Sequence, residues 1–108
     1  MDSLTALAEP TRRRIVELLA ERELSAGEIA ARFAVSAPAI SQHLRVLRAA
    51  ALVRVRAEAQ RRIYELDPDG LAALDQWLGR IRQAWRGRLV ASERRLIRRS
   101  DAKGGLGA

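Results

Sequence analysis

Two helix starts, each written by a serine, fix what the middle of this chain can fold into. Ser25 stands three residues before Glu28, the spacing at which a hydroxyl and a carboxylate satisfy each other's orphan amides at a helix N-terminus. The helix it opens is expected to run through Phe33, with Ile29, Ala30 and Phe33 on its apolar side. Ala34 and Val35 form a tight connection. Ser36 then caps a second helix over residues 37–50, with Pro38 tolerated in the first turn, where no N–H is needed. That helix carries Ile40, Leu44 and Leu47 on one stripe. Residues 52–56 alternate apolar and basic, the period of a half-buried strand. Residues 61–66 read as the antiparallel return, with 57–60 as the turn. Two short helices followed by a cationic hairpin outline a domain that sets a helix in the DNA major groove and lays a wing beside it.

The flanks complete the pattern. Leu4, Leu7 and Ala8 share a face of a short opening helix that Pro10 ends or bends. Residues 11–21 place Ile15, Leu18 and Leu19 on one stripe and charges elsewhere, an amphipathic helix. After the hairpin, Asp67 and Pro68 open a long helix. Its apolar residues are Leu71, Leu74, Leu78, Ile81, Trp85 and Leu89, at helical spacing. The fold class is mainly α (α+β): a winged helix-turn-helix of about five helices with a two-stranded β-hairpin wing. Residues 1–99 form one DNA-binding and dimerisation domain, and residues 100–108, Gly-rich and unpatterned, are expected to be a disordered tail.

Charge fits this outline. Residues 29–64 hold seven arginines against one acid, Glu58, a local balance of +6 in a chain whose total is +7. Such a patch suits an anionic partner, although a GC-rich genome also accounts for much of the preference for Arg over Lys. There is no Cys, so thiolate metal sites and thiol switches are excluded. One His, no Gly-rich phosphate loop and no paired carboxylates in apolar surroundings argue against an enzyme. No cofactor and no metal site is expected. No apolar run approaches the roughly 18 residues of a membrane span, and no signal peptide opens the chain. The expected location is the cytoplasm.

With Ile40, Leu44 and Leu47 inward, Ala37, Pro38, Ser41, Gln42 and Arg45 lie on the outer side of their helix. Gln42 can pair bidentately with adenine, Arg45 can reach guanine or phosphate, and Ala37 and Pro38 offer apolar contact to a thymine methyl. The Ser41 hydroxyl suits a phosphate or the preceding backbone carbonyl. Arg54, Arg56, Arg61 and Arg62 suit the DNA backbone or minor groove; they also charge a strand edge against aggregation, and both roles can hold together. Arg12 to Arg14 open a helix and are expected to pair with nearby acids rather than with DNA. The stripe from Leu71 to Leu89, with Leu4 and Leu7 of the opening helix, calls for a second copy of the chain as its cover.

These residues resemble the ArsR (arsenic-repressor-type) winged-helix family of bacterial transcription factors. The resemblance is carried by Ala6-Leu-Ala-Glu-Pro-Thr-Arg-Arg-Arg-Ile-Val-Glu-Leu-Leu19, by Ser36 through Ser41-Gln-His-Leu-Arg-Val-Leu47, and by Ala51-Leu-Val-Arg54 running into Arg61-Arg-Ile-Tyr-Glu-Leu66. It implies a homodimeric repressor on a pseudo-palindromic duplex operator, dimerised through its terminal helices. It also implies that His43 contacts a phosphate or base edge, alongside Ser36 and the residues named above. The chain departs from the family's metal sensors, which use Cys-rich or His/Asp-rich sites, and its hairpin turn lacks the usual Gly. A protein-binding winged helix and a non-specific architectural DNA binder remain as alternatives. The sequence names no effector.

Overall fold

Polar side chains write the helix starts. Asp2 accepts from the Thr5 amide and opens α1 (Ser3–Leu7); Glu9 accepts from the Arg12 amide and opens α2 (Pro10–Glu21), with Pro10 in its first turn. Pro10 therefore begins the second helix as well as closing the first. The computed structural model describes residues 2–107, with side chains through Arg98. After α2 come β1 (Leu24–Ser25), α3 (Ala26–Ala30), α4 (Ala37–Ala49), β2 (Val53–Glu58), β3 (Arg61–Leu66) and α5 (Pro68–Gly107). The expected winged-helix class is what the chain adopts, five helices included.

Three details differ from expectation. The Ser25–Glu28 capping box forms, but α3 ends at Ala30 instead of Phe33. Its last turn tightens, with the Arg32 amide donating to Ile29 and the Phe33 amide to Ala30, each three residues back. The sheet has three strands, in the order β1-β3-β2, all antiparallel. Leu24 faces Tyr64 and Ser25 faces Ile63, so Ser25 is both a strand residue and a helix cap. The wing turn is shorter than residues 57–60, because β2 and β3 pair through Glu58 and Arg61. Ala59 takes the left-handed φ of 56° that the tight turn requires, in the place where a Gly is usual.

The chain divides between Leu74 and Asp75 into two compact units. In the N-terminal unit, Ile15, Leu24, Ile29, Ile40, Leu44, Leu47 and Leu52 are almost wholly buried. The stripes expected of α2 and α4 thus meet in one core, and Leu7, Leu71 and Leu74 pack against it in part. The end of α4 is locked onto the start of α5. The Ala51 amide donates to Arg48 and the Leu52 amide to Leu47, a Schellman closure with Ala51 at φ 58°. Gly70 lies directly against this turn: a Cβ there would fall 1.6 Å from the Ala51 carbonyl oxygen. In the C-terminal unit, which consists of α5 from residue 75 onward, Leu78, Ile81, Trp85 and Leu89 are 41, 50, 53 and 45% exposed. The tail expected from residue 100 falls where side chains lie outside the described residues, and α5 runs on to Gly107.

Candidate nucleic-acid interface

α4 presents the expected face. Its N-cap Ser36 accepts from the Ala39 amide at 3.3 Å, and Pro38 fills a first-turn position that has no intrahelical bond to lose. Ile40, Leu44 and Leu47 anchor its inner side. Ser36, Ala37, Pro38, Ser41, Gln42 and Arg45 are all exposed. Among the described residues no hydrogen bond or ion pair engages the side chains of Gln42 or Arg45. Their donors and acceptors stand open to a base edge.

His43 is placed differently from its neighbours. Its side chain is 21% exposed, and Nδ1 turns inward, 3.3 Å from Arg12 Nη1 and 3.7 Å from Glu9 Oε2. Arg12 Nε donates to the Ala6 carbonyl at 2.7 Å, and its backbone amide donates to Glu9 at 2.9 Å. The Arg12 guanidinium therefore ties α1 to α4, while the Arg12 backbone amide holds the cap of α2. Burial raises the Glu9 carboxyl, but the Arg12 and Thr11 amides and the charges of His43 and Arg12 outweigh it and hold the group below its usual range. With Nδ1 engaged, Nε2 is the ring nitrogen left for a ligand. Arg12, Pro38, Ala39, Gln42, His43 and Val46 line an open cleft of about 420 Å³. The expected acid pairing holds for Arg14, 3.3 Å from Glu17; the nearest bonds of Arg12 are to a carbonyl and an imidazole instead.

On the wing, three of the four expected arginines are already paired. Arg54 meets its cross-strand partner Glu65 at 3.0 Å. Arg56 grips Glu23 through both terminal nitrogens, at 2.6 and 2.7 Å, and also reaches Glu58 at 3.0 Å and Glu65 at 3.4 Å. Arg61 meets Glu28 at 2.6 Å. The Arg56 hydrogen bond holds the Glu23 carboxyl below its usual range, and Glu23 in turn raises Arg56. Arg62 is exposed, with no ion pair among the described residues. The local excess of +6 is thus a property of where the counting window began and ended. Glu23, Glu28 and Glu65 lie just outside it in sequence and against it in space. Over residues 1–74 there are 11 basic and 10 acidic residues, so the winged unit is nearly neutral. Glu23 and Arg56 are 33 positions apart, and only the pairing of β1 with β3 reveals that they meet.

Of the apolar residues expected at a dimer contact, Leu4, Leu78, Ile81, Trp85 and Leu89 are exposed, while Leu7, Leu71 and Leu74 are half-buried against the chain's own core. Among the described residues, no group of three or more His, Asp or Glu side chains is arranged to hold a metal ion, and no helix is long and apolar enough to cross a membrane.

Comparison with known proteins gives a consistent result. Residues 9–55 match the family described as bacterial regulatory protein, arsR family. The chain is 56% identical over 76 residues to the HTH-type transcriptional regulator Rv2034 of Mycobacterium tuberculosis, covering 70% of this chain and 71% of that protein. It is 36% identical over 73 residues to the transcriptional repressor SdpR of Bacillus subtilis, covering 68% and 81%. Among solved structures, that of a possible transcriptional regulator for arsenical resistance superposes with a TM-score of 0.68 at 48% identity, over 75% of this chain and 84% of the other.

Proposed function

This chain belongs to the bacterial arsR family of regulatory proteins and is a DNA-binding transcriptional regulator, not an enzyme; on that premise we propose that it acts as a homodimeric repressor on a pseudo-palindromic operator. α4 enters the major groove. Gln42 reads an adenine edge, Arg45 meets guanine or phosphate, and Ala37 and Pro38 lie against a thymine methyl. Ser36, Ser41 and Nε2 of His43 meet the backbone or a base edge. The wing arginines 54, 56, 61 and 62 follow the phosphates. The observation that carries this reading is the outer face of α4: fully exposed, anchored by a buried inner stripe, and with Gln42 and Arg45 uncommitted. The wing ion pairs do not oppose it, since exposed pairs are worth only about 0–1 kcal/mol and can be exchanged for phosphate. Repression follows from occupancy, which excludes polymerase from the same DNA in the cytoplasm. With no thiol in the chain, release depends on something other than thiol chemistry.

Gln42→Ala tests the readout. It is expected to lose about 1–3 kcal/mol on the cognate operator and to relax preference at one base position. Arg62→Ala is expected to weaken every duplex alike and to make the salt dependence shallower by about one charge per contact. Competition between operator and random duplex distinguishes the two. Equal weakening of both duplexes by Gln42→Ala would remove direct readout and favour an architectural binder.

A further inference from the structure

The near-neutral N-terminal unit leaves a question of charge. Nine basic and three acidic residues fall in positions 75–108, which is +6 of the chain's +7. Among the described residues of this unit the one ion pair is Arg82 with Asp75, at a loose 3.9 Å. Arg88 stacks over Trp85, 5.5 Å from the ring centroid. Arg80, Arg86, Arg94, Arg95 and Arg98 are exposed and have no carboxylate partner among the described residues. Unlike the wing arginines, they are not internally neutralised.

Their placement on α5 is ordered. At about 100° per residue, Arg80, Arg94 and Arg98 fall on one line, on the far side of the helix from Leu78, Ile81, Trp85 and Leu89. Between them on that line lie Gly87 and Ala91, which are too small to screen the charges. At a rise of about 1.5 Å per residue the line runs about 27 Å. The grooves beside it are open and lined by Arg86, Arg94, Arg95 and Arg98, with no enclosed seat for a small anion. An extended row of uncompensated cations fits an extended polyanion, and duplex DNA carries about one charge per 1.7 Å of axis.

We propose that the arginine face of α5, formed by Arg80, Arg94 and Arg98 with Arg86 and Arg95 at its margins, is a second and sequence-independent contact for the phosphate backbone of duplex DNA. The proposal rests on the reading of the protein as a dimeric DNA binder. When a second copy covers the apolar stripe, the arginine face is the side of α5 left to solvent. It supplies the electrostatic affinity that the wing, with three arginines held by glutamates, supplies only in part. An anionic membrane is the competing polyanion. It would need the apolar stripe free to insert beneath the charges, which dimerisation removes.

The test is Arg80→Gln, Arg94→Gln and Arg98→Gln combined in the full-length chain. Glutamine keeps the helix propensity and removes the charge. Binding to operator and to random duplex is measured from 50 to 200 mM salt, with circular dichroism and sedimentation as controls. The slope of log K against log salt is expected to fall by about 0.9 for each lost contact, or about 2.7 per chain. The operator-to-random ratio should be retained. An unchanged slope overturns the proposal, while operator preference in the parent chain keeps the regulator reading intact. Failure of the parent chain to prefer any duplex would instead remove that reading. Phosphatidylglycerol vesicles provide the last arm: binding by the parent chain that the triple variant loses, with no change in DNA slope, would reassign the face to membranes and overturn the proposal.

Discussion

At the scale of single residues, two alanines and a glycine carry constraints larger than their side chains suggest. Ala51 and Ala59 sit at φ 58° and 56°, where the Cβ of an L-residue crowds its own backbone. Each closes an element, Ala51 the end of α4 and Ala59 the wing tip. Gly70 is required for the opposite reason: its own φ is ordinary, but the Ala51 carbonyl occupies the space where a Cβ would stand. Gly70→Ala is expected to cost about 2–3 kcal/mol, the scale of overpacking against atoms that cannot yield. Ala51→Gly should stabilise by up to about 1 kcal/mol, since glycine removes the left-handed strain. Midpoints of chemical denaturation check both, and equal stability of all three chains would show that the α4–α5 junction is looser than its geometry. None of this was legible in the sequence, because alanine gives no signal of a positive φ. The caps at Ser25 and Ser36 were legible, because a serine ahead of an apolar stripe marks each and acts within three residues of its partner; Asp2 and Glu9 cap at the same spacing and were not among the expected caps.

At the scale of elements, the base of the wing is held by carboxylates. The Ser25 amide holds Glu28 below its usual range, with Arg61 adding to the effect; Glu23 is held down by Arg56. A carboxyl depressed in the folded chain contributes stability that is fully present above its unfolded value, near 4.5, and lost as pH falls through the folded value. Thermal midpoints should therefore be flat from neutral pH to about 5 and decline below 4.5. Glu23→Gln and Glu28→Gln should each flatten that decline, and Glu28→Gln keeps an acceptor for the Ser25 amide, so α3 should persist. An acid profile identical to the parent in both variants would remove these pairs from the wing's support. Periodicity located α2, α4, β2, β3 and α5, since each is long enough to show a repeat. β1 has two residues, too few for any period, and exists only through its pairing with β3. The same limit hid the Glu9–Arg12–His43 cluster, whose members come from two elements 31 positions apart.

At the scale of the whole molecule, association is the property to measure first. Leu78 and Ile81 are half exposed in the described chain, so changing both to Asp should leave the fold of a single copy intact and yield monomers with weak operator binding. Sedimentation velocity reads this directly, and an unchanged coefficient would move the interface elsewhere. The overall sum of charge and its weight toward residues 75–108 were readable in the sequence, but the pairing was not. A window over residues 29–64 gave the excess to the wing, whereas folding brings Glu23, Glu28 and Glu65 against its arginines and leaves most of the described cations of α5 without a partner. The sheet order carries a consequence for how the molecule is built in time. β2 and β3 are neighbours in sequence and can zip from Ala59 within microseconds. β1 can join only when Ser25 reaches Ile63, closing a loop of about 38 residues against chain entropy. The wing can thus exist as a ribbon before it is rooted, and its rooting waits on the helices in between. Amide exchange should be slow at Tyr64 and fast at the tip, because the tip can open alone whereas Tyr64 is flanked by strands on both sides.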